Sequence, residues 1–311
     1  MKALLLAAGL GTRMRPFTFL KAKASLPLLN APFLHYPLQY LYSQNVKEVV
    51  VNLHSHPESV RIAAANFSAP IGIEFSMEPQ ILGTAGAIRK AFGADQSEPV
   101  LVMNADMLMN IPLERMMQQH VRYSADITLA IMESPEFESY GGLYFEQEDG
   151  EDRPLRFQGI REGKGRKFHY TGLQILNGDV IQHITSDRKS DTFTDVYVPL
   201  ADQKRIYGFL YNDFWLEIGN PKEYLKTSLH VLENPLPAAL QPTLMEASLV
   251  SPHATVEQDA VVTQSIIMEG ARIQSGVRVE RSIIGWDVTV TRDVMDSSLA
   301  KGMLPWPIES K

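Results

Sequence analysis

The chain has 311 residues, 45% of them hydrophobic and 21% charged, ordinary proportions for a globular protein with one large core or two domains. A net charge of −7 gives no basic footprint for nucleic acid or anionic lipid, and with no cysteine there are neither disulfides nor thiolate metal sites. The apolar start is too short to span a membrane and runs into Gly9-Leu10-Gly11 rather than a small-residue cleavage site, so a cytoplasmic protein is expected.

Residues 3–8 form an unbroken apolar run that suits a strand buried on both faces. The run stops at Gly9, Gly11, Thr12 and Arg13. Glycines let backbone N–H groups approach phosphate oxygens, Arg13 adds a planar fork, and Lys23 adds a point charge. The stretch reads as a triphosphate cradle. A dinucleotide fingerprint fits poorly, because Met14 stands where its third glycine belongs, and no Walker A sequence is present. The remaining alternative is an ordinary strand-to-turn junction.

Helical spacing of Leu34, Leu38 and Leu41 follows, then an apolar strand over 46–52. His54 and His56 lie in a loop closed by Pro57; without a further ligand at metal spacing they read as loop residues. A helix over 58–67 and a strand over 71–75 continue an alternation that argues for a parallel α/β sheet. Between Glu78 and Ile88 a glycine-bearing loop precedes a helix running through Phe92, for which Thr84 is a candidate N-cap. Residues 99–106 form another apolar strand ending in Asp106, which either faces the ligand crevice of an open sheet or caps the next turn. Beyond the stretch Asp126-Ile127-Thr128-Leu129-Ala130-Ile131, residues 146–156 read as a hairpin or exposed loop.

The proline-bearing run 233–242 reads as a linker. After it, aliphatic residues recur at Val250, Val256, Val262, Ile267, Ile273, Val279, Ile284 and Val290, in steps of six with two of five. A six-residue period indicates a parallel β-helix, whereas antiparallel strands would show a period of two.

Gly9-Leu10-Gly11-Thr12-Arg13-Met14 with Lys23 and Leu26-Pro27, Leu82-Gly83-Thr84-Ala85-Gly86-Ala87, Asn104-Ala105-Asp106 and Trp215-Leu216-Glu217-Ile218-Gly219-Asn220-Pro221 together resemble the sugar-1-phosphate nucleotidyltransferases. The resemblance covers nearly the whole chain. It implies a Rossmann-like, mostly parallel α/β catalytic domain over 1–235, a linker over 236–246, a short left-handed parallel β-helix over 247–295, and a tail or cap over 296–311. It also implies the reaction: an NTP and a sugar 1-phosphate give an NDP-sugar and pyrophosphate. Arg13, Lys23 and Asp106 would be catalytic, and Asp106 with Glu217 would hold Mg²⁺. Ala7, Ala8, Gly9, Gly11, Thr12, Arg13, Glu78, Gly83 and Thr84 would bind the nucleotide, and Gly142, Glu162 and Gly172 the sugar. Nucleic acid and membrane are not expected as partners, and the β-helix is the expected surface for any self-association.

Glu78 occupies the position that contacts the nucleobase in this family; the structural alternative is a strand end in solvent. As an acceptor-only group, a carboxylate suits the adjacent donors of guanine. The chain departs from the family pattern in four places. Ala22 replaces a proline, and Glu217 replaces an aspartate. The lysine of the Glu-Lys-Pro motif is displaced, leaving Arg161, Lys164 or Lys167 to supply its charge. Tyr170-Thr171-Gly172 replaces Asn-Ala-Gly. Within the family the overall look is nearest the mannose-1-phosphate guanylyltransferases. A uridylyltransferase acting on an amino-sugar phosphate and a non-catalytic nucleotide-sugar sensor are the alternatives. A bifunctional acyltransferase is disfavoured by the few histidines, since His253 is the only one after His230.

Overall fold

The structure is a computed structural model and describes residues 1–133, 142–149, 153–160, 163–185, 188–241 and 249–308. The chain divides into two compact units, each drawing on separated stretches. The first comprises Met1–Ala8, Tyr40–His54 and Ala69–Trp215; the second comprises Gly9–Gln39, Ser55–Ser68 and Leu216–Lys311.

The first unit is built on a nine-stranded sheet. Its strands are β1 (Lys2–Leu6), β2 (Glu48–Leu53), β3 (Gly72–Met77), β4 (Val100–Asn104), β5 (Ile127–Met132), β6 (Leu143–Gln147), β7 (Leu155–Gly159), β8 (Arg166–Leu176) and β9 (Ile206–Leu210). Their spatial order is β3-β2-β1-β4-β8-β5-β9-β7-β6. The flank β3-β2-β1-β4 is parallel throughout, as the apolar runs of β1, β2 and β4 require of strands covered on both faces. Beyond it the sheet is mixed: β8 runs antiparallel to both β4 and β5, and β6 and β7 pair antiparallel as the expected hairpin, with β6 also pairing antiparallel with the start of β8. Leu4, Val50, Val102, Leu129 and Phe168 belong to one buried core cluster. Residues 134–141, including the Tyr140-Gly141 part of a sugar-side motif, lie outside the described residues.

The second unit contains the turns that follow β1, a helix over Pro57–Ala65, a helix over Pro221–Glu233, and the C-terminal repeats. The Pro221 helix starts as local chemistry dictates. Asn220 accepts the Glu223 N–H at 3.0 Å, and proline stands at the first helical position. The repeats form a short left-handed parallel β-helix with three strand ladders. Val256, Ile273 and Val290 stack in one ladder, and Val262, Val279 and Val294 in the second. Val250, Ile267, Ile284 and Leu299 stack in the third. Every aliphatic position of the six-residue period therefore lies in a ladder; Ile267, Ile273, Val279, Ile284 and Val290 are buried in the bore with Val250 and Val262 packed against them, while Val256, in the first coil, is exposed. A serine column runs alongside, in which Ser282 N–H donates to Ser265 Oγ and Ser297 N–H to Ser282 Oγ. Trp306 and Pro307 pair antiparallel with Ser297 and Ser298, so the start of the closing segment extends one face. The stretches 242–248 and 309–311 lie outside the described residues.

Candidate active site

In the first unit, the nucleotide-binding candidates Ala7, Ala8 and Glu78 gather where β1, β2 and β3 end. Ala7 and Ala8 donate their N–H groups to Asn52 Oδ1 at 2.6 and 3.1 Å. Asn52 Nδ2 donates to Glu78 Oε1 at 2.8 Å, and Leu82 N–H donates to Glu78 Oε2 at 3.0 Å. Glu78 is only 1% exposed. It is therefore not a strand end in solvent; both carboxylate oxygens are engaged within the fold. His54 Nδ1 lies 2.8 Å from the Glu78 carbonyl, a backbone tie in keeping with a loop role.

The helix expected after this loop spans Gly83–Phe92. Thr84 is not its N-cap but its second residue, because the chain turns earlier, at Leu82 and Gly83. Gly83 has φ +71°, and a side chain there would collide with the Ser190 carbonyl. That carbonyl instead accepts the Ala85 N–H at 3.1 Å. Thr84 Oγ1 accepts the Thr192 N–H at 2.9 Å. A segment distant in sequence thus takes the place of a local cap.

Asp106 follows β4 in a turn that Ala105 N–H ties back to the Leu6 carbonyl at 3.2 Å, beside the exit of β1. Asp106 itself is half-buried. Of the sugar-binding candidates, Gly172 sits at an irregularity in the pairing of β8 with β5. Its φ of +90° and the Asn104 side chain, 3.0–3.2 Å from where a Cβ would lie, both demand glycine. Thr171 Oγ1 donates to the Ala130 carbonyl at 3.0 Å, and Trp215 Nε1 donates to the Thr171 carbonyl at 3.0 Å. Tyr170 packs edge-on against Phe193, with centroids 5.1 Å apart, at the margin of the core. The stem of Lys167 lies directly on Gly142. Lys167 is half-buried and Lys164 exposed, while Arg161 and Glu162 lie outside the described residues.

The second unit carries the phosphate-loop candidates. Gly11 is left-handed, with φ +59°. Its carbonyl accepts from Met14 N–H and from Thr18 Oγ1, each at 2.8 Å, which folds Thr12–Met14 into a single 3₁₀ turn. Met14 is buried, while Thr12 and Arg13 project to solvent. Lys23 opens another such turn, Lys23–Ser25. Ser59 fixes both its sides: Ala22 N–H donates to Ser59 Oγ at 3.0 Å, and Ser25 Oγ lies 3.1 Å from it. Ala22 thus has a use for an N–H that the family's usual proline lacks. His56 Nε2 lies 3.1 Å from the Thr18 carbonyl, which also accounts for this histidine without a metal. Glu217 is half-buried and borders Gly219, as does Arg13.

Among the described residues no group of three or more histidine, aspartate or glutamate side chains could hold a metal, and no helix is long and apolar enough to cross a membrane. Sequence reading gave no role to Asn52, Ser190 or Thr192. Asn52 carried a signal nonetheless: a side-chain amide ending a buried apolar strand must find hydrogen-bond partners inside.

A family model described as nucleotidyl transferase matches residues 2–234, and one described as GlmU-like, C-terminal hexapeptide matches 238–295. The chain is 31% identical over 231 residues to a D-glycero-alpha-D-manno-heptose 1-phosphate guanylyltransferase of Aneurinibacillus thermoaerophilus, covering 73% of this chain and 96% of that protein. It is 28% identical to a probable mannose-1-phosphate guanylyltransferase of Arabidopsis thaliana, over 93% of this chain and 87% of that one. Among solved structures, HddC from Yersinia pseudotuberculosis superposes with a TM-score of 0.61 at 22% identity, over 73% of this chain and 98% of that one. A UDP-glucose pyrophosphorylase from Acinetobacter baumanii does so with a TM-score of 0.64 at 20% identity, over 75% and 94%. At these identities the two structures establish the fold.

Proposed function

The chain belongs to the nucleotidyl transferase family, and from that premise we propose that it makes a GDP-sugar and pyrophosphate from GTP and a sugar 1-phosphate. The observation that carries this reading is the likeness, across most of both chains, to proteins named guanylyltransferases. The sugars in those two relatives' names, mannose and a manno-heptose, share the manno configuration, so mannose 1-phosphate is the first substrate to test.

In the reaction, an oxygen of the sugar phosphate attacks the α-phosphorus of GTP in line. A new P–O bond forms while the bond from the α-phosphorus to the bridging oxygen breaks, and pyrophosphate departs with that electron pair. The nucleophile is already anionic, so the protein need supply only position and charge. Gly9, Gly11, Thr12 and Arg13 would hold the β- and γ-phosphates, with the guanidinium neutralising the leaving group. Lys23 would neutralise the reacting phosphates, its turn held by Ser59. Ala7, Ala8, Gly83 and Thr84 would line the nucleotide, with Glu78 holding the loop between them.

Family members generally depend on a divalent cation, and Asp106 and Glu217 offer it hard carboxylate oxygens, the donors that suit Mg²⁺. Bound there, the cation would supply charge neutralisation to the phosphates. On the sugar side, Gly142, Glu162 and Gly172 are the proposed contacts. Lys167, laid along Gly142, is the cation best supported for the sugar phosphate.

The test is pyrophosphate release from the purified protein across GTP, UTP, dTTP and ATP, each paired with a panel of sugar 1-phosphates. GTP with mannose 1-phosphate should be the best pair. Turnover confined to UTP and an amino-sugar phosphate would overturn the assignment. Binding of GDP-mannose without turnover on any pair would make the protein a sensor.

A further inference from the structure

Asn52 is 3% exposed and Glu78 1%, and together they join two backbone segments far apart in the chain. One is the exit of β1 at Ala7 and Ala8; the other is Leu82, which leads into Gly83. The joint has a direction. A carboxylate only accepts, so Glu78 compels Asn52 to turn its NH₂ toward it and its carbonyl oxygen toward the Ala7 and Ala8 amides. Those two N–H groups are thereby engaged inside the fold. An alanine then has only its carbonyl oxygen to offer a bound base.

We propose that Asn52 and Glu78 are positioning residues that form a buried polarity relay. The relay holds the β1 exit and the Leu82-Gly83 turn at one fixed geometry for the nucleotide. It also leaves Ala7 and Ala8 facing the base with acceptors alone. Acceptors suit guanine, with its adjacent N1–H and N2–H₂ donors, better than uracil, whose single N–H is flanked by carbonyls. Glu78 therefore acts on base choice through Asn52, while its own oxygens stay occupied. The inference rests on the proposed guanylyltransferase reading, and the experiment separates the two.

The experiment exchanges the polarity of the pair. In Asn52→Asp two carboxylates face each other and neither can donate. In Glu78→Gln the new NH₂ meets either the Asn52 NH₂ or the Leu82 N–H, donor against donor. The double variant matches every group again. Its new amide donates to its new carboxylate and accepts the Leu82 N–H, while that carboxylate accepts from Ala7 and Ala8. For GTP, each single variant should lower kcat/KM about tenfold or more, chiefly through the KM for GTP, and narrow the GTP to UTP ratio. The KM for the sugar phosphate should hardly move. The double variant should return to within about threefold of wild type, since coupled groups are not additive.

A double variant no better than the worse single variant would overturn the relay. Singles that lose thermal stability but keep the wild-type KM for GTP and nucleotide ranking would reduce the pair to a structural tie and overturn the proposal. If a single variant fails to fold, a double variant that folds with a wild-type KM for GTP supports the relay, and one that also fails to fold rejects it. A wild type that prefers UTP would sink the guanylyltransferase reading and the base-choice part together. The positioning part is then read from the UTP KM in the same cycle, where a rescued double variant supports it and an unrescued one does not.

Discussion

Arg13 and Glu217 border the same face of Gly219, with Glu217 Oε1 lying 2.8 Å and Arg13 Nη1 3.6 Å from where a Cβ on that glycine would stand. A cation proposed for the leaving group and a carboxylate proposed for the metal thus converge on one residue that has no side chain. The clash a methyl group would create is with the far end of a flexible side chain. Gly219→Ala should therefore fold with a Tm near wild type yet turn over more slowly and require more Mg²⁺. Unchanged turnover and an unchanged Mg²⁺ titration would detach Glu217 from the metal.

Asp106→Asn and Glu217→Gln should each cut turnover at least about a hundredfold at saturating Mg²⁺, as expected when a carboxylate ligand of the cation that neutralises transition-state charge is lost. Chelation with EDTA should abolish wild-type turnover, and Mg²⁺ should restore it. Arg13→Ala should lose kcat more than sugar-phosphate affinity. If that variant raised only the KM for the sugar phosphate, Arg13 would not belong to the triphosphate.

Lys167→Ala should raise the KM for the sugar phosphate about tenfold, the scale of a lost charge-assisted hydrogen bond. Lys164→Ala, at an exposed position, should leave that KM unchanged. The reverse ranking, measured in the same pyrophosphate-release assay, would give the sugar phosphate to Lys164.

The turn bearing Lys23 offers a pair of variants of unequal cost. Ser59→Ala leaves the Ala22 N–H without its acceptor and should destabilise the fold by about 1–2 kcal/mol while lowering kcat. Ala22→Pro removes the donor instead of stranding it, and the φ of −62° at Ala22 already suits a proline. It should cost less than Ser59→Ala in urea unfolding. An equal or greater loss would mean that the Ala22 bond does not position the turn.

Burial holds His35, His120 and His169 below the ordinary value of 6.5. His120 is further fixed between Thr128 Oγ1 at 2.8 Å and Asn177 Oδ1 at 3.0 Å. The unfolded chain then binds protons that the folded chain refuses, so stability is fully present above about pH 6.5 and is lost as pH falls toward the lower folded-state values. The urea midpoint should be level between about pH 7 and 8 and decline steadily below about 6.5. A midpoint that stays level down to about pH 5 would show that these histidines titrate normally in the fold.

The sequence by itself carried whatever is local or periodic. Continuous apolar runs mark β1, β2 and β4 as doubly covered strands, because in a strand of alternating side-chain direction only burial on both faces allows such a run. The six-residue aliphatic period marks the β-helix, because each coil repeats the same inward position. Gly11 was legible as a glycine of the phosphate-loop candidate, but its left-handed backbone shows only in the fold.

What the tertiary structure alone decided is which polar groups meet across the chain. Sequence leaves Glu78 equally suited to a base or to solvent; packing buries it against Asn52, a residue twenty-six positions away. The start of the Gly83 helix is completed by Ser190 and Thr192 rather than by Thr84 as a local cap. The stem that lies along Gly142 is that of Lys167, twenty-five positions on in sequence. Local pattern cannot decide such pairings, because a hydrogen bond depends on direction and distance in space, and only the assembled sheet brings those atoms within reach.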